Sequence, residues 1–428
     1  MIQSTEQLYE LYLKCSGVST DTRKIERNSL FFALKGPNFN ANEFATEALN
    51  KGAQFALVDE KAYVTSPQIY LVNDGLEALQ KLAQFHREKL KIPVIGITGS
   101  NGKTTTKELI LKVLNCRYRA MATRGNLNNH IGVPLTILSI EPDIEIAIVE
   151  MGANHVGEIA GLCKIAQPTH GLITNIGRAH IEGFGGFEGV IRGKSELYQY
   201  LIQTEGVAFI NSGDKILANM AKRFKHPVFY PSDGDFLQID FLQSNPYLSF
   251  TGEHNRQVKT QLIGEYNFYN VAAALCIGKY FEVPTDLAEQ AVADYRPVNN
   301  RSQVINKGTN TVILDAYNAN PSSMQAALSN LISMKAATKV AILGDMMELG
   351  EQSEECHREV VKLSATGVDQ VILCGPLTGM AKEANPDATH FENKALLINY
   401  LKQQDFKNTT FLIKASRSMG LEDVVEHL

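Results

Sequence analysis

The sequence contains no tryptophan, no CxxC pair among its six cysteines and no long apolar run. A membrane-spanning helix needs about 20 predominantly apolar residues in succession, so we expect no membrane insertion. The first residues, MIQSTEQLYELYLKCSG, lack the basic start and the apolar core of a signal peptide. The scattered cysteines offer neither a disulfide framework nor the spacing of a metal site, which favours a reducing compartment and predicts a cytoplasmic protein.

The sequence also has little net charge, with 41 Lys and Arg residues against 46 Asp and Glu residues, a formal net charge of -5. This balance excludes general nucleic-acid binding. An anionic ligand must therefore be bound by local positive groups rather than by the field of the whole protein. The length of 428 residues exceeds what one hydrophobic core ordinarily organises, so we expect two or three domains.

Three domains are predicted from the order of strand and helix patterns. Residues 1–88 mix short strand-like runs, such as SLFFALKG, with helical stretches and form a small α/β domain. In residues 89–298 apolar strands alternate with helices, which is typical of a mostly parallel, doubly wound sheet; the pattern within 226–264 indicates an antiparallel patch. Residues 299–428 contain four strand candidates separated by helices at intervals of about 30 residues, which predicts a Rossmann-like domain.

The stretch GITGSNGKTTTKE, Gly96–Glu108, follows an apolar strand and opens a helix. The strict P-loop spacing is not met, because Ile97 occupies the position of the motif's first glycine. The strand–loop–helix context of a phosphate cradle is nevertheless present. Glycines let backbone N–H groups converge on phosphate oxygens, and the helix N-terminus favours negative charge. The alternative is a glycine-rich turn with a solvated lysine. The predicted cradle, of P-loop ATPase type, comprises Gly99, Ser100, Asn101, Gly102, Lys103, Thr104 and Thr105, with a threonine hydroxyl available for Mg²⁺.

Three ionisable residues follow this loop. Glu150 ends the apolar strand Ile144–Val149, at the edge where open α/β sheets bind ligands, and it could hold Mg²⁺ or cap the next helix. His180, in NIGRAHIEGFGG, projects from the end of another strand, although a lone histidine is often an ordinary loop residue. Lys194, in GKSELY, could equally be a lysine on a helix surface.

Two further groups of polar residues are candidates for ligand binding. The loop RGNLNNHIGVP contains Asn126, Asn128 and Asn129, which suit either turn formation or recognition of a polar ligand. In the last domain, Asp315, Asp345 with Glu348, and the segment KASRSMG follow three strands, while Arg301 lies just past the domain boundary. Polar residues at several strand ends predict a rim that faces one side of the sheet, although each residue alone could be a helix N-cap.

Taken together, these motifs resemble those of the Mur ligase family, ATP-dependent amide-forming enzymes of peptidoglycan precursor synthesis. TGSNGKTTT, EMG, NIGRAH, GKSE and NFYNVAAA occur in the family's order, and the resemblance covers essentially the whole chain. The segment STDTRKIERNSLFFALKG is similar to the family's UDP-binding segment and contains Thr22 and Arg23. One departure is that Asn40-Ala41-Asn42 stands where the family has Asp-Gly-His.

The resemblance implies a specific reaction. GNLNNHIGVP, DAYNANPSSM and LGDMMELG look like the member that adds D-alanyl-D-alanine to UDP-N-acetylmuramoyl-tripeptide through an acyl phosphate. It also implies ATP and two Mg²⁺ ions, domain closure before chemistry, and a monomer. The implied catalytic residues are Lys103, His180 and Lys194, the last carbamoylated. The implied metal ligands are Thr104, Glu150, His180 and Lys194. The other implied ATP contacts are Asn267 to adenine, and Arg301 and Asp315 to the phosphates and ribose. The implied substrate contacts are Thr22, Arg23, Asn126, Asn128, Asn129, Asn318 and Asn320.

Two other functions remain open from the sequence. A sibling amide ligase, such as the Mur enzyme that adds the third residue or folylpolyglutamate synthase, would share most of these motifs. That Mur sibling has Ala-His-Thr-Pro where this chain has Asn-Ala-Asn-Pro at 318–321. A non-catalytic nucleotide switch of the GTPase type would need an Asn-Lys-x-Asp motif, but Asn393-Lys394 is followed by Ala395 and Leu396.

Overall fold

The computed structural model describes residues 1–428, and its N-terminal region forms a four-stranded parallel sheet in the order β1-β2-β5-β6. Strands of such sheets are buried on both faces and are therefore continuously apolar, as Leu30–Phe32 is. Strands are β1 (Val18–Ser19), β2 (Leu30–Phe32), β3 (Lys35–Gly36), β4 (Phe39–Asn40), β5 (Phe55–Val58) and β6 (Ile69–Leu71). Helices are α1 (Thr5–Tyr12), α2 (Ala45–Asn50) and α3 (Gly75–Lys89).

The central region contains a six-stranded parallel sheet in the order β12-β11-β10-β7-β9-β8 and a separate antiparallel sheet, β13-β14-β15. Strands are β7 (Val94–Thr98), β8 (Ala120–Ala122), β9 (Ile146–Glu150), β10 (His170–Ile173), β11 (Val207–Asn211), β12 (Val228–Tyr230), β13 (Asp240–Ser244), β14 (Tyr247–Thr251) and β15 (Gln257–Ile263). Helices are α4 (Lys103–Leu114), α5 (Gly132–Leu138), α6 (Glu158–Ala166), α7 (Ile181–Phe184), α8 (Phe187–Gln203), α9 (Lys215–Ala221), α10 (Tyr266–Tyr280) and α11 (Thr285–Ala293).

The predicted antiparallel patch begins later than expected. Residues Val228–Tyr230 pair in parallel with β11 and extend the main sheet, and the antiparallel pairing starts at Asp240. The strand at 228–230 is only three residues long, too short for the sequence to distinguish a parallel edge strand from the start of a hairpin.

The C-terminal region contains a second six-stranded sheet, in the order β16-β17-β21-β18-β19-β20, which is parallel except for β16. All four strands predicted for this region are present, and the two edge strands, β16 and β20, were not predicted. Strands are β16 (Gln303–Lys307), β17 (Asn310–Leu314), β18 (Thr338–Gly344), β19 (Gln370–Cys374), β20 (Thr389–Phe391) and β21 (Thr409–Lys414). Helices are α12 (Pro321–Ser333), α13 (Ser353–Ser364), α14 (Pro376–Met380) and α15 (Lys394–Leu401).

The helix α3 joins the first region firmly to the second. Asp74 caps its N-terminus by accepting a hydrogen bond from the N–H of Glu77 at 2.7 Å. Near its other end the buried Arg87 donates to the carbonyl oxygens of Ala166 at 2.9 Å and Gln167 at 3.1 Å, at the end of α6. One hydrophobic core therefore runs from the N-terminal sheet into the central sheet. None of the helices combines the length and apolar character that a membrane crossing requires.

Candidate active site

A cleft with a volume of about 970 Å³ lies where the carboxyl ends of the central and C-terminal parallel sheets face each other. This is the edge at which open α/β sheets bind ligands. Residues from all three regions line the cleft, including Gln80 of α3. Fifteen of the predicted site residues line it: Ser100, Asn101, Gly102, Lys103, Thr104, Thr105, Asn128, Asn129, Glu150, His180, Asn267, Arg301, Asp315, Asn318 and Asn320.

The predicted phosphate loop connects β7 to α4, and hydrogen bonds to the residues that follow β10 hold it in place. The N–H of Asn101 donates to Asn175 Oδ1 at 3.0 Å, and Thr174 Oγ1 donates to the carbonyl oxygen of Asn101 at 2.6 Å. Ser100 Oγ donates to the carbonyl oxygen of Gly177 at 3.0 Å. These contacts fix the loop, so the N–H groups of the first turn of α4 remain available at the cleft.

Two positions of the loop require glycine. Gly99 and Gly102 have φ of 145° and 79°, which L side chains rarely adopt. A Cβ on Gly99 would lie 2.0 Å from Thr174 Oγ1, and one on Gly102 would lie 2.6 Å from Asn270 Oδ1. Gly99 does not line the cleft, but its carbonyl oxygen accepts a hydrogen bond from Lys103 Nζ at 2.7 Å. It therefore shapes the loop.

The ammonium group of Lys103 has no carboxylate partner. It donates only to the carbonyl oxygens of Gly99 and, at 3.3 Å, of Ser100. Burial lowers the pKa of Lys103 to about 8, the charge of Glu150 opposes this change, and the charge of Arg301 adds to it. Lys103 and Arg301 thus place two cations in one cleft, an arrangement that favours a polyanionic ligand.

The carboxylate of Glu150 ends β9 beside the first turn of α4. Thr104 Oγ1 donates to Glu150 Oε2 at 3.0 Å, and Asn128 Nδ2 donates to Oε1 at 2.9 Å. Lys107 Nζ lies 3.4 Å from Oε2. Glu150 therefore does not cap a helix, and this alternative interpretation of its position is wrong. A carboxylate and a hydroxyl side by side provide the oxygen ligands that Mg²⁺ prefers.

Lys194 is buried in α8, with 1% of its surface exposed, so it is not a surface lysine. Its Nζ donates to the carbonyl oxygen of Ala153 at 3.1 Å and lies 5.0 Å from the ring centre of Phe184. Burial, and next the charge of Lys103, lower the pKa of Lys194 to about 7, against the opposing charges of Glu158 and Glu196. In a substantial fraction of the molecules this side chain is then a neutral amine at neutral pH, and the neutral amine is the form that reacts with carbon dioxide. Lys194 lies just behind the cleft surface and does not line it.

His180 lies between the central and C-terminal regions. Its Nδ1 contacts Glu348 Oε2, which follows β18 of the C-terminal sheet. Burial lowers the pKa of His180, the charge of Glu348 opposes this, and the charges of Lys103 and Lys194 lower it further. The φ of His180 is 54°, a left-handed conformation uncommon for a residue with a side chain and often retained at functional sites.

Asn267 occupies the cleft wall at the start of α10, within a chain of hydrogen bonds. Its Nδ2 donates to the carbonyl oxygen of Ile263 at 2.8 Å, and its Oδ1 accepts from Asn270 Nδ2 at 2.8 Å. Asn270 Oδ1 in turn accepts from Thr106 Oγ1 at 3.0 Å. The amide plane of Asn267 is thus fixed before any ligand enters.

The C-terminal rim presents an aromatic ring with two arginines close to it. The guanidinium carbon of Arg301 lies 3.6 Å from the ring centre of Tyr317, and that of Arg417 lies 4.7 Å from it. Arg301 Nε is buried without a hydrogen-bond partner, so this cation has donor capacity left for a ligand. Asp315 and Lys414 form a close pair, with Nζ 2.6 Å from Oδ2.

The predicted rim is wrong at Asp345. Its carboxylate is 1% exposed and accepts hydrogen bonds from the N–H of Thr378 at 2.8 Å and the N–H of Leu377 at 3.2 Å. The side chain therefore turns toward the N-terminus of α14 on the neighbouring strand connection and does not reach the cleft. A helix N-terminus stabilises a carboxylate, and this local interaction determines its direction.

The two sheets are brought together by direct hydrogen bonds. Asn320, which caps α12, donates through Nδ2 to Asn101 Oδ1 of the phosphate loop at 2.8 Å. The N–H of Arg178 donates to Ser322 Oγ at 2.8 Å, and the Arg178 guanidinium lies 3.1 Å from Glu359. The phosphate loop and the C-terminal helix α12 are thus in contact with each other.

Some predicted substrate residues lie elsewhere. Thr22 and Arg23 form a 3₁₀ turn of the N-terminal region, where Arg23 pairs with Asp21 at 2.8 Å, and neither lines the cleft. Asn126 is exposed on the amide-rich loop and also does not line it. Asn129 does line the cleft, but its Oδ1 accepts from the N–H of Gly132 at 2.9 Å near the start of α5.

The segment Asn40-Ala41-Asn42, which departs from the family's Asp-Gly-His, belongs to a cluster of hydrogen-bonded side chains. Asn42 is buried, and its Nδ2 donates to Asn40 Oδ1 and to Asp59 Oδ1, each at 2.8 Å. Lys35 Nζ completes the cluster 3.1 Å from Asp59. These residues hold the turn between β4 and α2 together.

Several cleft residues were not predicted. Tyr317 and Ser322 lie within a motif that was recognised, but the sequence did not indicate a stacking or interdomain role. Outside the cleft, Lys107, behind Glu150, was also missed. The sequence shows that it follows Lys103 by four residues on the same helix, but this spacing does not indicate its partner.

The comparisons with known proteins agree with this site. Residues 97–278 match the model for the Mur ligase middle domain, and residues 300–417 match the model for the Mur ligase, glutamate ligase domain. A phosphate loop and a ligand cleft between two parallel sheets are typical of nucleotide-binding enzymes. The chain belongs to the Mur ligase family.

The similar proteins have consistent names. The chain is 36% identical over 426 residues to UDP-N-acetylmuramoyl-tripeptide--D-alanyl-D-alanine ligase of Bacillus subtilis, covering 96% of this chain and 93% of that protein. The enzyme of the same name from Escherichia coli is 34% identical with the same coverage. A crystal structure of MurF from Acinetobacter baumannii has a TM-score of 0.87 at 30% identity, covering 99% of this chain and 98% of that one. MurF ligase from Thermotoga maritima in complex with ADP has a TM-score of 0.86 at 29% identity, covering 97% of both chains.

Proposed function

We propose that this chain is the ATP-dependent ligase that joins D-alanyl-D-alanine to UDP-N-acetylmuramoyl-tripeptide through an acyl phosphate, a step in peptidoglycan precursor synthesis. The observation that carries the proposal is the pair of cations, Lys103 and Arg301, that face one cleft without a carboxylate partner. The names of the relatives, and the ADP complex of one of them, support the choice of substrates and nucleotide.

The reaction requires two polyanions to approach each other. The first-turn N–H groups of α4 and the Lys103 ammonium would bind the phosphate chain of ATP from the central side, and Arg301 would bind it from the C-terminal side. The γ-phosphate passes to the terminal carboxylate of the tripeptide, giving an acyl phosphate and ADP. The dipeptide amine then attacks the acyl carbon and loses a proton, and phosphate leaves.

The residues at the strand end suit a divalent cation. Thr104 and Glu150, 3.0 Å apart, provide two adjacent oxygen donors, although no group of three His, Cys, Asp or Glu side chains is close enough to hold a metal by itself. Magnesium usually keeps several waters and phosphate oxygens as ligands, so one or two carboxylates suffice. When bound, Mg²⁺ supplies positive charge that offsets the repulsion between the substrates. A carbamate on Lys194, with His180, would serve a second ion.

The remaining assignments follow from this function. Asn267 would contact adenine, and Asp315 the ribose. Thr22, Arg23 and the amide side chains of Asn126, Asn128, Asn129, Asn318 and Asn320 would contact the UDP-linked substrate and the dipeptide. We also place the domain boundaries at residues 88 and 298, the first in the last turn of α3 and the second in the connection between α11 and β16. A cytoplasmic location is consistent with six cysteines that form no disulfide, and we expect the chain to act as a monomer.

Release of ADP by the purified protein tests the proposal. With ATP, Mg²⁺ and UDP-N-acetylmuramoyl-tripeptide present, D-alanyl-D-alanine should stimulate ADP release, and the product mass should increase by one dipeptide. Single amino acids and L-alanyl-L-alanine serve as controls and should give no stimulation. Stimulation by a single amino acid would assign the chain to a sibling ligase. Slow hydrolysis that no acceptor stimulates would support a nucleotide switch.

A further inference from the structure

The buried ion pair between Lys107 and Glu150 lies behind the cleft. Lys107 Nζ is 3.4 Å from Glu150 Oε2, and the two side chains are 4% and 2% exposed. Glu150 lines the cleft, whereas Lys107 does not. Lys107 therefore does not contact a ligand in the cleft, and it can act there only through its charge and through its contact with the carboxylate of Glu150.

The position of this lysine follows from the helix repeat. Lys107 is four residues after Lys103 and three after Thr104 on α4, so the three side chains share one face of the helix. Lys103 turns to the carbonyl oxygens of the loop, while Thr104 and Lys107 both turn to Glu150 Oε2. The carboxylate is thus surrounded by a hydroxyl, an ammonium and, on Oε1, the amide of Asn128.

This arrangement has two physical consequences. A buried carboxylate without a cation nearby is strongly unfavourable, and Lys107 provides that cation while no metal is bound. A divalent cation that binds Glu150 is, in turn, repelled by the fixed charge of Lys107, and the interaction is strong because the surroundings exclude water.

We propose that Lys107 is a positioning residue that holds the Glu150 carboxylate in place and limits how tightly this carboxylate binds Mg²⁺. The proposal rests on the proposed function in one respect, namely that Glu150 meets the metal ion. It predicts that removing the charge of Lys107 makes metal binding tighter, while a purely structural lysine would leave it unchanged or weaken it.

The test is the Mg²⁺ concentration that half-saturates the protein at a saturating ADP concentration, measured by calorimetry without turnover. In Lys107→Met we expect this concentration to fall at least about tenfold, because one fixed positive charge is removed a few ångströms from the ion. Lys112→Met, an exposed lysine on the same helix, is the matched control and should not change it. Lys107→Arg, which keeps the charge, should stay close to wild type.

Thermal unfolding gives a second readout. Without metal, Lys107→Met should unfold at a lower temperature than wild type because Glu150 loses its partner, and Mg²⁺ with ADP should raise its unfolding temperature more than that of wild type. Where methionine prevents folding, Lys107→Gln retains a polar group beside the carboxylate and permits the same comparison.

Unchanged or weaker Mg²⁺ binding in the folded Lys107 variant, with a normal wild-type response, would overturn this inference and leave the proposed function intact. A wild-type protein whose binding of ADP shows no Mg²⁺ dependence would instead contradict the metal assignment itself, and with it the role of Lys107. The two failures are therefore distinguished by the wild-type titration.

Discussion

The two six-stranded sheets face the same cleft, but the buried lysines at their ends have different partners. At the central sheet, Lys103 and Lys194 donate only to carbonyl oxygens, and their pKa values fall to about 8 and about 7. At the C-terminal sheet, Lys414 forms a close pair with Asp315, 2.6 Å apart. The difference indicates that Lys103 and Lys194 of the central sheet are prepared for an incoming anion, whereas Lys414 of the C-terminal sheet is neutralised in advance and leaves Arg301 as the free cation on that side.

Two lysines on the same helix, α4, also differ in whether they have a carboxylate partner. Lys107 has a carboxylate partner and Lys103, one turn earlier, has none. A buried cation without a partner is costly to maintain. Such a cost is typical of functional sites, where perturbed pKa values cluster. The unpaired lysines are therefore the positions at which substitution should affect activity most.

The largest expected effect is that of Lys103→Ala. Loss of a preorganised cation facing the phosphate chain should reduce kcat by about 10³-fold, as removal of a single transition-state donor does elsewhere. The measurement is dipeptide-stimulated ADP release by the folded variant. The same assay on Lys112→Ala, from the exposed side of α4, controls for general effects of removing a lysine from this helix. Activity within about twofold of wild type in Lys103→Ala would contradict the role assigned to this cation.

The next effect is that of Lys194→Ala. If Lys194 acts as a carbamate, the variant should lose about 10²-fold in kcat, and a short-chain carboxylate such as acetate should restore part of the activity. Chloride at the same ionic strength provides the control. Full activity without any added carboxylate would remove the carbamate from the mechanism.

Lys194 also predicts a pH dependence of stability. With a pKa lowered to about 7, the folded protein binds fewer protons at this site than the unfolded chain between pH 7 and the ordinary lysine value of about 10.4. The contribution of Lys194 to the free energy of unfolding therefore rises with pH, by at most about 1.4 kcal/mol per pH unit, and is lost as the pH falls to 7.

Lys194→Met removes this dependence. In buffers free of carbon dioxide, denaturant unfolding should show the variant most stabilised relative to wild type at pH 7 and progressively less so toward pH 9. A stability difference that is constant across this range would mean that Lys194 keeps an ordinary pKa.

The smallest effect concerns the contact between the two sheets. Asn320→Ala removes the cap of α12 and its hydrogen bond to Asn101. It should lower the free energy of unfolding by about 1 kcal/mol and raise the KM for ATP more than it changes kcat. Arg178→Ala, which breaks an exposed pair with Glu359, should change stability by less than about 1 kcal/mol. An unaltered KM in Asn320→Ala would show that this contact does not shape the nucleotide site.

Much of this architecture was predictable from periodicity. The apolar strand Ile146–Glu150, the glycine loop and the four predicted strands of the last region have strong local signals and are present. The edge strands Gln303–Lys307 and Thr389–Phe391 have no comparable pattern, because their residues are only partly buried or exposed. The parallel pairing of Val228–Tyr230 depends on a neighbour that is distant in sequence.

The sequence predicted which residues form the site better than it predicted which residues they contact. Lys103, Glu150 and His180 were identified from their place after strands, and they line the cleft. The direction of Asp345 was not predictable, since it depends on α14, more than 30 residues away in sequence, as the N–H of Thr378 shows. The pairing of Lys107 with Glu150 likewise depends on the distance between α4 and β9, which no local pattern specifies.

Binding of ATP measured by calorimetry, with and without Mg²⁺, tests the central claim most directly in a comparison of wild type with Lys103→Met. We predict that one ATP binds per wild-type chain, that binding depends on Mg²⁺, and that the methionine variant loses most of the affinity while remaining folded. Equal affinity in the two proteins, or no binding to the wild type, would contradict the account.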